Sequence, residues 1–151
     1  MESKVKRIGV LTSGGDAPGM NACLFGLVQS AASINAGVIG FVGGWEGILH
    51  DECGPLTKDD VAHCINNGGT ILHSDRSQDW LIKEKRLEGL ETLRRHGADA
   101  LVVIGGDGSF RGAGDLASDT GFPVFCIPAS IDNDLGYTSY TIGFDTALNT
   151  V

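Results

Sequence analysis

The sequence has no apolar run long enough to span a membrane: stretches such as Ala100–Ile104 and Phe122–Pro128 fall far short of the ~20 residues such a helix needs. It has no small-residue cleavage site behind its basic start, since Met1 to Ile8 passes straight into a strand-like run, which argues against a secretory signal. It has no CxxC and no Cys/His ligand spacing. Cys23, Cys53, Cys64 and Cys126 are scattered and read as buried, reduced thiols of a cytosolic protein rather than as a metal site or disulfide framework. Basic residues are in deficit, with 11 Lys and Arg against 19 Asp and Glu for a formal charge of −8, which leaves no electrostatic footprint for nucleic acid. An anionic substrate must therefore be held locally, by backbone N–H groups, a few cations or a bridging metal. Low-complexity tracts, internal linkers, a Walker A Gly-Lys-Ser/Thr and a GxGxxG are all absent.

Glycine, by contrast, is abundant: 23 of 151 residues, against a usual share of ~7%. These glycines are not strung with serine as in a flexible linker; they stand at the ends of short apolar runs. Arg7–Thr12 reads as a buried strand, Ser13–Gly19 as a glycine turn, and Pro18–Ser33 as a helix with Met20, Cys23, Leu24, Leu27, Val28, Ala31 and Ala32 at helical spacing. Val38–Val42 is a second strand, closed by Gly43-Gly44-Trp45-Glu46-Gly47, and Thr57 with Asp60 resembles a capping pair for a short helix through Asn66. Leu81–His96 is the clearest amphipathic helix, with Leu87, Leu90 and Leu93 on one side, charges forming a solvated face, and Gly97 as its stop. Asp99–Ile104, a helix to about Ser118, and Phe122–Ile127 complete the pattern. Strands without polar alternation, separated by helices, predict an α/β fold with a mostly parallel sheet covered on both faces. Gly143–Val151 reads as the opening of a helix with no cap or terminal cation, so the chain is expected to be the front portion of a longer protein.

Three strand-end loops carry residues suited to chemistry. At Gly14-Gly15-Asp16 and Gly105–Ser109, missing Cβ atoms let backbone N–H groups approach a phosphate, and a helix N-terminus follows. Either loop alone also reads, less strongly, as a tight turn between strand and helix. Two of them, each with an aspartate, point to phosphate plus a divalent cation that offsets carboxylate repulsion. The third loop, Ser130-Ile131-Asp132-Asn133-Asp134, sets two carboxylates two residues apart; in extended backbone both would face one side, as proton acceptor and metal or water ligand. It also reads as an Asx-type turn capping the strand. Arg76, the one Lys or Arg in the polar stretch His73–Asp79, suits planar contact with phosphate or is a surface arginine.

The stretches VLTSGGDAPGMNA (10–22), NGGTILHSDR (67–76), ALVVIGGDGSFRGA (100–113) and IPASIDNDLGYTSYTIGFDTALNTV (127–151) together closely resemble the N-terminal domain of the 6-phosphofructokinase family, in order and spacing. The resemblance implies a three-layer α/β domain that binds ATP and Mg²⁺, the front of a two-domain cytoplasmic subunit that assembles as a homotetramer. The activity it implies is ATP-dependent phosphorylation of fructose 6-phosphate at the 1-hydroxyl, giving fructose 1,6-bisphosphate. Carried over by position, Gly15 touches the nucleotide phosphates. Arg76 and Ser77 lie beside ATP, with Ser77 where the family has an aromatic. Gly106, Asp107, Gly108 and Ser109 form the nucleotide loop, with Asp107 on Mg²⁺. Ser130, Ile131 and Asp132 form the sugar-phosphate loop, with Ser130 where the family has threonine, Asp132 as general base, and Asp134 on the metal side.

Pyrophosphate-using relatives carry Asp at the place of Gly108 and Lys at that of Ala129, so the residues here favour ATP, although ATP-using members commonly have glycine where Ala129 stands. Phe25 and Gln29 replace two arginines that bind an effector phosphate in bacterial members. The alternatives are a pyrophosphate-dependent enzyme, a more distant NAD or lipid kinase, and a non-catalytic domain that keeps the fold. The family's grip on the sugar phosphate comes from segments beyond these 151 residues, so the chain by itself is expected to turn over little.

Overall fold

The structure, a computed structural model, describes residues 5–150; the basic start at Met1–Lys4 and the last residue of the expected terminal helix, Val151, lie outside the described residues. Arg7–Thr12 forms β1, which passes through the turn at Ser13–Gly19 into α1 (Met20–Ser33) and then β2 (Gly37–Phe41). A short α2 (Trp45–Leu49), β3 (Cys53–Pro55) and α3 (Lys58–Ala62) follow. After the polar stretch come a 3-10 turn (Asp79–Leu81), α4 (Lys83–Arg95), β4 (Ala100–Gly105), α5 (Asp107–Thr120), β5 (Val124–Pro128) and α6 (Phe144–Thr150). The strands lie in the order β3-β2-β1-β4-β5, with β3 antiparallel to β2 and the other pairs parallel.

Two cores result, one on each face. Met20, Leu24 and Val28 of α1 and Val61 of α3 cover Val10, Val38 and Val102. On the other face Ile48, Leu90, Leu93 and Leu116, from α2, α4 and α5, cover Leu11, Phe41, Leu101 and Val103. Val10 and Leu11 are sequence neighbours on opposite faces, and both are fully buried, which is why the strand has no polar alternation. The expected three-layer α/β arrangement is present. No helix of the described residues is long and apolar enough to cross a membrane.

Trp80 fixes much of the second layer. Its ring stacks on Trp45, with centroids 4.4 Å apart and planes 18° apart, and its indole N–H donates to the Gly112 carbonyl at 3.1 Å. Glycine is required at one of its neighbours, since a Cβ at Gly89 would come within 2.6 Å of the Trp80 ring, and one at Gly112 would stand tightly against it at 3.0 Å. The Thr57–Asp60 pair forms a reciprocal capping box, with aspartate in the place usually held by Glu or Gln.

The structure corrects the sequence reading in several places. Leu87 is exposed and Arg86 takes its place on the inner face of α4. The guanidinium is buried there because it pairs with Asp119 at 2.7 Å and donates to the Trp80 carbonyl at 2.8 Å, so the charges of α4 are not only a solvated face. The helix after Thr57 stops at Ala62, and α2 and β3, which the pattern did not reveal, are too short to carry a period. Of the four cysteines expected to be buried, only Cys64 is; Cys126 is exposed. It lies on β5, an edge strand whose Phe125 is 61% exposed, so the described residues leave this strand partly uncovered.

Candidate active site

In an open parallel sheet, ligands bind beyond the strand carboxyl ends where the strand order reverses. Here the chain moves outward from β1 to β2 on one side and from β4 to β5 on the other, so the reversal lies between β1 and β4. Their loops approach closely: the Ser13 N–H donates to the Ile104 carbonyl at 3.0 Å. A Cβ on Gly105 would stand 2.5 Å from the Ser13 oxygen, so this glycine is required by the crossing.

A cavity of about 640 Å³ opens at this point. Ten of the eleven residues predicted from sequence line it: Gly15, Arg76, Ser77, Gly106, Asp107, Gly108, Ser109, Ser130, Ile131 and Asp134. Side-chain hydrogen bonds, most of them spanning 46 to 61 residues, position these loops. The Thr12 hydroxyl donates to the His73 carbonyl at 2.6 Å and bonds Thr70, tying the polar stretch to the end of β1. Buried Asn21 accepts from the Ile71 N–H at 2.8 Å and donates to the Asn67 carbonyl, and Ser77 accepts the Trp80 N–H at 3.1 Å. Arg76 thereby lines the same cavity as Ser13 and Gly106, which directly follow β1 and β4. It is the one Lys or Arg lining the cavity among the described residues, against the carboxylates of Asp16, Asp107 and Asp134.

Two glycines are not explained by packing. An added Cβ at Gly15 or Gly108 meets nothing within 4 Å, and neither residue has the positive φ that demands glycine. Both open onto the cavity, as a cradle would for an anion approaching the backbone. Gly108 and Asp107 lie in the first turn of α5, a 14-residue helix whose N-terminal N–H groups carry partial positive charge. The Asp107 carboxylate, half exposed, is paired with Arg111 at 2.8 Å. Asp16, Asp107 and Asp134 line the same cavity, and their carboxylates are hard oxygen donors of the kind Mg²⁺ takes, although their ligand atoms do not gather into one close cluster among the described residues.

The 130–134 loop departs from the expected geometry. Asn133 has φ +48, so the segment is bent rather than extended, and the two carboxylates do not share a side through strand alternation. Asp134 lines the cavity; Asp132 stands on the exposed outer part of the loop, its N–H donating to Ser130 Oγ at 3.1 Å. The Asn133 side chain accepts from the Thr141 N–H at 2.9 Å and donates to the Ser139 carbonyl, which fixes the bend. Trp45, Gln78 and Leu81 also line the cavity and were not anticipated. Gly43-Gly44-Trp45 at a strand end was the available signal for Trp45, whereas Gln78 and Leu81 arrive only because Trp80 is anchored.

A mostly parallel α/β sheet with open glycines, a helix N-terminus and carboxylates lining one cavity at its switch point defines a domain of the phosphate- and nucleotide-binding class. A family model described as Phosphofructokinase matches residues 7–151, and the chain belongs to that family. It is 50% identical over 147 residues to an ATP-dependent 6-phosphofructokinase of Clostridioides difficile, covering 97% of this chain and 46% of that protein. It is 51% identical over 146 residues to an ATP-dependent 6-phosphofructokinase 1 of Thermus thermophilus, covering 97% and 45%. Among solved structures, the phosphofructokinase of Saccharomyces cerevisiae matches with a TM-score of 0.86 and 32% identity, over 95% of this chain and 22% of that one. The chain thus spans about half the length of the curated relatives it matches.

Proposed function

We propose that the chain is the ATP- and Mg²⁺-binding part of a cytoplasmic, homotetrameric ATP-dependent 6-phosphofructokinase, which transfers the terminal phosphoryl group of ATP to the 1-hydroxyl of fructose 6-phosphate. The observation that carries this reading is the pair of open glycines, Gly15 and Gly108, facing one cavity with Arg76 and three carboxylates. The names of the relatives that share half its residues agree with it.

In this reading the backbone N–H groups at Gly15 and Gly106–Ser109 hold the phosphates, Arg76 adds a planar cation, and Ser77 lies beside the nucleotide. Asp107 and Asp134 hold Mg²⁺, which supplies the positive charge that lets phosphates and carboxylates share the site. Asp107, paired here with Arg111, would be the residue to hold the cation from the α5 side. Ser130 and Ile131 shape the sugar-phosphate side, and Asp132 takes the proton of the 1-hydroxyl as that oxygen attacks phosphorus. It is the one predicted site residue that does not line the cavity, and it stands on the exposed part of the loop. The open space at Gly108 favours ATP over pyrophosphate, and so does the small Ala129 in the cavity wall, where pyrophosphate-using relatives carry a lysine.

A coupled assay for fructose 1,6-bisphosphate, run on the full-length parent with ATP and with pyrophosphate, tests the donor and the reaction together. Preference for pyrophosphate overturns the donor assignment, and absence of product with either overturns the activity. Run on the 151-residue chain, the same assay is expected to give little turnover, because the remaining sugar-phosphate contacts come from outside it. Robust ATP-dependent rates there refute that division of labour.

A further inference from the structure

On a different part of the molecule, three metal-ligating side chains converge that are dispersed in sequence. Asp51 follows α2, Cys53 opens β3, and His96 caps the C-terminus of α4. The Cys53 sulfur lies 3.3 Å from His96 Nε2 and 3.9 Å from Asp51 Oδ1, and that same Oδ1 is 2.5 Å from His96 Nε2. All three ligand atoms lie within 4.8 Å of one another. A tetrahedral zinc with bonds of about 2.3 Å to sulfur and about 2.0 Å to nitrogen and oxygen separates its ligand atoms by roughly 3.3–3.5 Å. Each observed separation is therefore within 1 Å of what the ion would impose.

The arrangement is not that of an activated cysteine nucleophile. There the carboxylate holds one ring nitrogen of histidine and the thiol the other, whereas here carboxylate and thiol both approach Nε2. Arg95 pairs with the other Asp51 oxygen at 2.7 Å, orienting the carboxylate so that Oδ1 alone is presented. The imidazole is fixed edge-on against Phe41, with centroids 6.4 Å apart. Thiolate, imidazole and a single carboxylate oxygen form a borderline-soft donor set, suited to Zn²⁺ and unsuited to Mg²⁺ or Ca²⁺. Cys53 and His96 also line a cavity of about 410 Å³, together with Arg7 and Thr57. It shares no lining residue with the candidate active site, and it leaves room for water as a fourth ligand.

We infer that Asp51, Cys53 and His96 form a Zn²⁺ site that clamps the edge strand β3 to the end of α4. The test uses the full-length parent, freed of metal and titrated with Zn²⁺ alone against a chromophoric chelator, with Co²⁺ as spectroscopic substitute. One equivalent is expected to bind with micromolar or tighter affinity, and Co²⁺ to give a thiolate charge-transfer band. Cys53→Ser, His96→Gln and Asp51→Asn are each expected to weaken binding tenfold or more, with Cys53→Ser also abolishing the band. Cys64→Ser and Cys126→Ser are expected to leave both unchanged. Should a ligand variant fail to fold, alkylation of the wild type decides: Zn²⁺ is expected to protect Cys53 while exposed Cys126 stays reactive. Binding weaker than micromolar, a Cys53→Ser variant that binds like wild type, or equal alkylation of Cys53 with and without Zn²⁺ overturns the proposal.

Discussion

Replacing Gly108 by alanine separates what the fold needs at this position from what a ligand needs. The new methyl group meets no atom within 4 Å, and the residue lies in the first turn of α5 with no positive φ. Alanine in place of glycine stabilises a helix interior by roughly 0.5–1 kcal/mol, and the lower value suits a first turn. For a chain of this size that is a rise in Tm of about 1–2 °C. The same methyl group enters the space through which a phosphate approaches the backbone, so ATP affinity is expected to fall by about tenfold, or ~1.4 kcal/mol. Thermal melts with and without Mg-ATP read both effects: the free protein melts at or slightly above the wild-type temperature, and the ATP-induced rise shrinks. Gly105→Ala is the contrast, because its Cβ would lie 2.5 Å from the Ser13 oxygen and must lower the Tm of the free protein. If Gly108→Ala melts several degrees early, the space is not free; if its ATP-induced shift equals that of wild type, the glycine is not a cradle.

In the full-length phosphofructokinase proposed above, Asp132→Asn is expected to lower kcat by 10²–10⁴-fold while ATP binding is kept; near-normal turnover would remove Asp132 as the proposed base. Gly89→Ala forces a methyl group to 2.6 Å from the Trp80 ring and is expected to cost about 1–3 kcal/mol by overpacking, seen as a lower denaturant midpoint; an unchanged midpoint would show that the ring can move. The Asp99 carboxyl is held below the ordinary aspartate range because it accepts the backbone N–H groups of Lys6, at 2.7 Å, and Arg7, at 2.9 Å. A lowered folded-state pKa contributes stability above the ordinary value and loses it as pH falls, so the Tm gap between wild type and Asp99→Asn should be full at pH 7 and close below about pH 4. A gap independent of pH would mean that the charge is not what matters.

Much of the fold is legible in the sequence because parallel strands buried on both faces are uninterrupted apolar runs, as in Arg7–Thr12 and Ala100–Gly105, and because glycines mark where they end. The candidate site is legible for the same reason, since strand-end loops gather at one edge whatever the details of packing. What escapes the sequence depends on side chains that meet across long separations. Arg86 looks like a surface charge until Asp119, 33 residues on, is seen to pair with it. Asn133 looks like any loop residue until its side chain is seen to fix a bend after which Asp134, and not Asp132, lines the cavity. Cys53 and His96 have no ligand spacing, yet β3 and the end of α4 bring them to 3.3 Å.

The Trp45–Trp80 stack has a practical consequence. The chain contains two tryptophans, and both are in this stack. Trp45 lines the cavity, while Trp80 holds the segment that carries Arg76 and Ser77. All indole emission from this chain therefore originates in or directly behind one wall of this cavity, and two rings 4.4 Å apart couple their excited states. The protein carries its own optical gauge: occupancy of the pocket and movement of the arginine-bearing loop can be followed by fluorescence and near-ultraviolet circular dichroism, with no label attached.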